Sequence, residues 1–274
     1  MLGKLIKHDF KSGASDVGIV YLIAGIVALT MVAFLVFDFG QGKIVSSVLL
    51  LIVCAVAVLV TFISVIRNFS KTMYGDRGYL THALPVKSSS LIFSKWFVST
   101  VWVLISYLML YIAFFCVYNY LSDSSGSDMY DMIMMMLETM EFVPSQKILT
   151  GMIIAVGFKG LINMASLVIF IFFAITMGYV RPFHKLGGVG QVLYFFGTYY
   201  IVRIIGKGLS KLAELYFTIQ DSGLGFTFSD AVAEIVKEYG GGAMRLTETY
   251  VQIIAAIVLF IITTDLVDRK VNIK

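Results

Sequence analysis

Charge is scarce in this sequence: 14% of its 274 residues are Asp, Glu, Lys or Arg, where a soluble domain carries about a quarter. That scarcity excludes a disordered chain and a cytosolic enzyme. Cysteine is nearly absent as well. The two thiols, Cys54 and Cys116, sit deep inside apolar runs with no histidine nearby. This excludes a disulfide-built secreted domain and points to no metal or thiolate chemistry. Both read as small packing residues and say little about redox compartment. Catalytic signatures are missing too. No Gly-x4-Gly-Lys-Ser/Thr phosphate loop occurs; the nearest approach, Gly206–Lys207–Gly208, lacks the upstream glycine and the hydroxyl residue. HExxH, paired CxxC and GxSxG are absent, so the chain reads as a non-enzyme without a cofactor of its own.

What is present is apolar residue in long runs: 59% of the chain, with a mean hydropathy of +0.90. A helix needs roughly 20 apolar residues to cross a bilayer. Charge-free runs occupy 17–37, 44–66, 96–122, 160–180, 186–202 and 249–264, the fourth extending back to 156 and the last to 247–266. Only closed hydrogen-bonded elements span lipid, and these runs do not alternate as barrel strands would. The expectation is an all-α polytopic membrane protein, one transmembrane domain over 1–274 with six spans. The first run lies too far from the start, and is too long, for a signal peptide, so it is expected to stay as an anchor.

Lys and Arg set orientation. With both termini cytoplasmic, the inner segments 1–16, 67–95, 181–185 and 265–274 hold 13 Lys+Arg against 5 acids. The outer segments 38–43, 123–159 and 203–248 hold 8 against 12. A net charge of +4 without a basic stripe indicates no nucleic-acid partner.

The remaining segments have distinct characters. The start, MLGKLIKHDF, places Leu2, Leu5, Ile6 and Phe10 on one helical face and Lys4, Lys7 and Lys11 on others. It reads as an amphipathic helix on the inner leaflet or as an ordinary positive flank. In the inner segment 67–95, Gly75 and Gly78 break the helix descending from span two, and Pro85 ends the short apolar turn 79–84. That turn either docks a protein partner or rests on headgroups. Ser88 or Ser89 then caps the helix entering span three. The outer segment 123–150 is Met-rich, six falling between Met129 and Met140. Thioethers bind Cu(I), but without His or Cys nearby an amphipathic packing helix is the better reading. The outer segment 203–246 shows helical spacing at Ile204, Ile205, Leu209, Leu212, Leu215 and Tyr216, with a second short helix at 229–239. External helices are therefore expected between spans five and six. No acids lie within the six charge-free runs as they stand before those two extensions. Lys159 is the one ambiguous ion: it snorkels outward, or it faces a cavity and an anionic cargo.

The stretch MYGDRGYLTHALPVKSSSLIFSKW, residues 73–96, resembles the Gly-Tyr-Leu…Leu-Pro…Ser-Lys stretch of membrane permeases of ATP-binding-cassette exporters, the type-two exporter permeases linked in Gram-positive bacteria to peptide export and self-immunity. The length, the six spans, the cytoplasmic termini and the N-terminal amphipathic helix are similar to that family as well. The resemblance implies a bacterial cytoplasmic-membrane location and a coupling helix at 78–85. It implies that Tyr74, Asp76, Arg77, Gly78, Tyr79, Leu80, His82, Leu84 and Pro85 dock a separate ATPase, which binds ATP and Mg. It implies further two ATPase copies, a second permease, and an amphipathic or hydrophobic peptide cargo passing between the permeases. It places no path residues; Lys159 is a weak candidate. A membrane protein without ATP coupling (a facilitator, channel or sensor subunit) is the alternative.

Overall fold

Long apolar runs become long helices. The computed structural model describes residues 2–36, 40–75, 86–122, 146–180, 187–210, 215–220, 223–228 and 242–269. Six helices lie within them: α1 (Leu2–Val36), α2 (Gly40–Met73), α3 (Ser88–Ser122), α4 (Gln146–Tyr179), α5 (Gly187–Ser210) and α6 (Thr247–Arg269). Three strands, β1 (Leu215–Gln220), β2 (Gly223–Phe228) and β3 (Gly242–Arg245), stand between α5 and α6. The chain divides into one unit over Met1–Met129 and another over Tyr130–Asn272.

In the first unit α1, α2 and α3 pack pairwise. Their contact is lined with small side chains: Ala24, Cys54, Ala57 and Ala113 are buried, while Leu29, Ile19 and Leu59 are 70%, 68% and 63% exposed. Small residues inside and large aliphatics outside is the arrangement that lipid favours, because helices gain by close backbone approach and lose nothing by facing hydrocarbon. Buried hydroxyls keep their own helices satisfied, as when Thr61 Oγ1 donates to the Ala57 carbonyl at 2.8 Å. The N–H groups of Tyr74 and Gly75 both donate to the Ser70 carbonyl at 2.9 and 3.1 Å, closing the end of α2. The Lys87 carbonyl accepts from Leu91 N–H at 3.3 Å. Lys87 is thus the capping position of α3 and Ser88 lies within the first turn, not at the cap.

In the second unit α4, α5 and α6 also pack pairwise, and the sheet lies against α4. Half of the spanning stretch of α4 is buried, against 6% of that of α5. Glycine permits the α4–α5 contact: a Cβ on Gly178 would lie 2.5 Å from Gln191 Cγ.

Five stretches are long and apolar enough to cross a membrane: Val45–Met73, Ser88–Val117, Thr150–Tyr179, Gly188–Ser210 and Thr247–Asp268. The chain is a multi-pass membrane protein by that measure. A sixth stretch qualifies only if Leu2–Ser15 and Val17–Thr30, bent by 55°, are taken as one span. The observed stretches run through charges that bounded the sequence expectation. The run ending at 202 continues to Ser210, past Arg203, because Arg203 folds back along α5, its Nη1 donating to Tyr199 Oη at 3.3 Å and its guanidinium 5.7 Å from that ring's centroid.

One expectation changes. The helical polytopic architecture is the one expected, with a small sheet added to it: Leu215 and Tyr216 belong to a strand instead of an external helix. The sheet has the order β2-β1-β3 and is antiparallel throughout, with Leu215 opposite Phe228 and Tyr216 opposite Arg245. Aromatic and β-branched residues in Tyr216–Phe217–Thr218–Ile219 favour strand once partners exist on both sides. The expected helix at 229–239 and the Met-rich segment 129–140 lie outside the described residues.

Candidate functional site

The N-terminal part of α1 is packed into the first unit by a polar contact. Asp9 is 9% exposed. Its Oδ2 accepts from Ser94 Oγ at 2.6 Å, and its Oδ1 accepts from Lys95 Nζ at 3.3 Å. Ser94 and Lys95 are themselves buried near the start of α3. A cavity of about 10 Å³ beside this cluster is lined by Asp9, Asn68, Phe69, Thr72, Lys95, Val98 and Ser99, about the room one water needs. All three helices of the unit therefore contribute to one polar cluster at the ends of α2 and α3 that flank residues 76–85.

The inward face of α1 continues from there. Phe10 stacks on Trp102, with ring centroids 4.7 Å apart. Gly13 lies so close to that indole that a Cβ would meet Trp102 Nε1 at 2.6 Å. Val17 is 2% exposed. Asp9, Gly13 and Val17 recur at helical spacing, and this stripe is what the bundle buries. Leu2 and Phe10, expected to form the apolar face, are each 39% exposed. Of the apolar face named from the sequence, Phe10 still stacks on Trp102 and Leu5 and Ile6 are half-buried, while the most deeply buried stripe runs through Asp9, Gly13 and Val17.

Further along lies a second cluster. Tyr21 Oη hydrogen-bonds Ser106 Oγ, Ser106 Oγ donates to Thr61 Oγ1 at 2.7 Å, and Thr61 donates to the Ala57 carbonyl. Each donor has an acceptor, and the chain crosses from α1 through α3 to α2. Beyond it, Ala24, Leu50, Cys54, Ala113 and Val117 form a dry core. The polar stripe of α3 (Lys95, Ser99, Trp102 and Ser106) therefore ends against apolar side chains. It holds helices together. Trp102 Nε1 is buried with no acceptor among the described residues.

Chemically, the arrangement binds one element to another. No nucleophile–base pair is assembled in it, and no group of three His, Cys, Asp or Glu able to hold a metal exists among the described residues. Of the residues implied to dock an ATPase, Tyr74 is half-buried at the end of α2, edge-on to Phe69 at 6.0 Å. Asp76, Arg77, Gly78, Tyr79, Leu80, His82, Leu84 and Pro85 lie outside the described residues. Lys159 is in the other unit, where its Nζ donates to the Arg245 carbonyl at 3.4 Å.

Sequence reasoning missed Asp9, Ser94 and Lys95. Asp9 stands among Lys4, Lys7 and Lys11, where nothing local singles it out, and Lys95 only bounds the run that begins at residue 96. A signal was available in Asp9-x3-Gly13-x3-Val17, a packing stripe with an acid at its end.

Comparison with family models, with curated proteins and with solved structures found no match in any of the three.

Proposed function

We propose that the chain is the permease of an ATP-binding-cassette exporter in a bacterial cytoplasmic membrane, driven by a separate ATPase. The single observation that carries this reading is the resemblance of residues 73–96, a stretch that joins the end of α2 to the start of α3. The excess of Lys and Arg in the segments 1–16 and 67–95 supports placing both termini and this stretch in the cytoplasm, with the bent α1 supplying the sixth span. A helix at 78–85 would then dock the ATPase through Tyr79 and Leu80, with Asp76 and Arg77 at the rim. The buried Asp9–Lys95 contact would carry a displacement of α3 into α1 as well. Two ATPases and a second permease complete the transporter, and the cargo is an amphipathic or hydrophobic peptide.

The test is co-purification. The chain purified from its native membrane should retain an ATPase in detergent, while Tyr79→Ala with Leu80→Ala should lose it yet still insert. An unchanged ATPase-to-permease ratio in the double variant, together with intact transport, discards the docking role. Absence of any ATPase from the wild-type preparation favours a membrane protein without ATP coupling.

A further inference from the structure

We propose that one flank of α5, formed by Phe195, Tyr199, Arg203 and Lys207, seats an anionic phospholipid, its phosphate on the two cations and an acyl chain along the two rings. This inference concerns the second unit alone and does not depend on the exporter reading.

The four residues recur at every fourth position, so they make one stripe down the helix. Contacts within the stripe order three of them. The Phe195 and Tyr199 rings stack with centroids 6.3 Å apart and planes inclined by 16°. The Arg203 guanidinium lies 5.7 Å from the Tyr199 centroid, and its Nη1 donates to Tyr199 Oη at 3.3 Å. Lys207 follows one turn on, its Cβ about 5–6 Å from that of Arg203. Helical side chains lean towards the N-terminus, so the Lys207 stem extends over the turn that carries Arg203. The stripe thus passes from an apolar ring, through an amphipathic ring, to two cations. A phospholipid passes in the same order from acyl chain to phosphate.

Depth agrees with that order. The spanning stretch begins at Gly188; Arg203 lies fifteen residues along it and Lys207 nineteen. At the helical rise these are about 22 and 28 Å, against about 30 Å of hydrocarbon. The cations therefore occupy the last turns of the stretch, beside the phosphates of one leaflet. Neither forms an ion pair among the described residues. Glu248 packs against Gly206 at this end of α5 and bonds neither, so the cations outnumber it two to one. Tyr199 takes one of the five guanidinium donors, and the ring fixes the plane of the fork.

Like charges one turn apart destabilise a helix, and an anion between them replaces repulsion with attraction to both. Phosphate fits the pair, because the fork offers parallel N–H donors and the ammonium a point charge. A zwitterionic headgroup would bring its own ammonium against the second cation. The surface beside the stripe is open: 6% of the spanning stretch of α5 is buried, and Phe196, Ile201 and Ile204 are exposed for acyl chains.

Native mass spectrometry and thermal denaturation of the full chain in detergent test this, with phosphatidylglycerol, phosphatidylcholine or glycerol 3-phosphate added. Wild type should carry phosphatidylglycerol in preference to phosphatidylcholine. At tenfold excess over its Kd, phosphatidylglycerol should raise the Tm by about 3–5 °C, and glycerol 3-phosphate should not. Arg203→Gln and Lys207→Gln should each weaken phosphatidylglycerol binding about tenfold. Lys207→Arg should preserve it, and Lys11→Gln, in the other unit, should leave it unchanged. Should Arg203→Gln fail to fold through loss of its contact with Tyr199, Lys207→Glu decides, since its side chain is exposed and bonds no other: it should abolish the preference for phosphatidylglycerol. A preference undiminished in Lys207→Glu, or equal binding of both lipids by wild type, overturns the site. Equal protection by glycerol 3-phosphate would assign the cations to a soluble phosphate and overturn the lipid assignment. A wild-type dimer that carries no phosphatidylglycerol would put a second copy on this flank and overturn it as well.

Discussion

Asp9 and Lys95 stand 86 residues apart in the sequence and 3.3 Å apart in the structure, with side chains 12% and 9% exposed. One sits on the N-terminal stretch of α1 and the other near the start of α3, so the contact makes the first helix part of the bundle.

Removing one member of this pair should cost more than removing both. Asp9→Ala strands a buried ammonium and Lys95→Met strands a buried carboxylate, each expected to cost about 3–5 kcal/mol. The double variant leaves no uncompensated charge, so it should be more stable than either single one. Denaturation of the four proteins in detergent checks this; additive losses would mean that the two groups do not interact.

Gly13 is needed for its missing side chain. A Cβ there would lie 2.6 Å from Trp102 Nε1, whereas Gly25 on the same helix has nothing within 4 Å. Gly13→Ala should therefore destabilise by about 1–3 kcal/mol through overpacking, and Gly25→Ala should be close to neutral. Comparison of the two melting curves distinguishes a steric requirement from a general loss of helix flexibility.

The contact of α4 with α5 depends on Gly178 in the same way. Its Cβ would meet Gln191 Cγ at 2.5 Å. Gly178→Ala should lower the Tm, and adding Gln191→Ala should restore most of it by removing the obstructing atoms. A double variant no more stable than Gly178→Ala would place the strain in the backbone and not in that side chain.

Orientation is tested by labelling. With Cys54 and Cys116 replaced by Ala, a cysteine at Ser125 should react with an impermeant maleimide from outside intact cells. A cysteine at Lys87, whose side chain is exposed, should react only after permeabilisation. The reverse pattern would invert the protein and put residues 76–85 out of reach of a cytoplasmic ATPase.

The sequence by itself determined that this chain lives in a bilayer and roughly where its long helices run. Hydropathy is summed residue by residue, and the length of a run is compared directly with the thickness of hydrocarbon. The same arithmetic placed helix ends too early wherever a charge stood inside a helix, as at Arg203, because a charge that folds back on its own Tyr199 does not end the helix. Tertiary structure alone decided what Asp9 does. A carboxylate among lysines is solvated or buried according to a partner 86 residues away, and no local window contains that partner. It decided likewise that Leu215–Gln220 is a strand, since the apolar spacing of 204–216 is compatible with a helix until Gly223–Phe228 and Gly242–Arg245 take up the backbone donors and acceptors on both edges. It brought Lys159 to the carbonyl of Arg245 by packing the sheet against α4. Run lengths are properties of neighbours in sequence; pairings of charge and of strand are properties of neighbours in space.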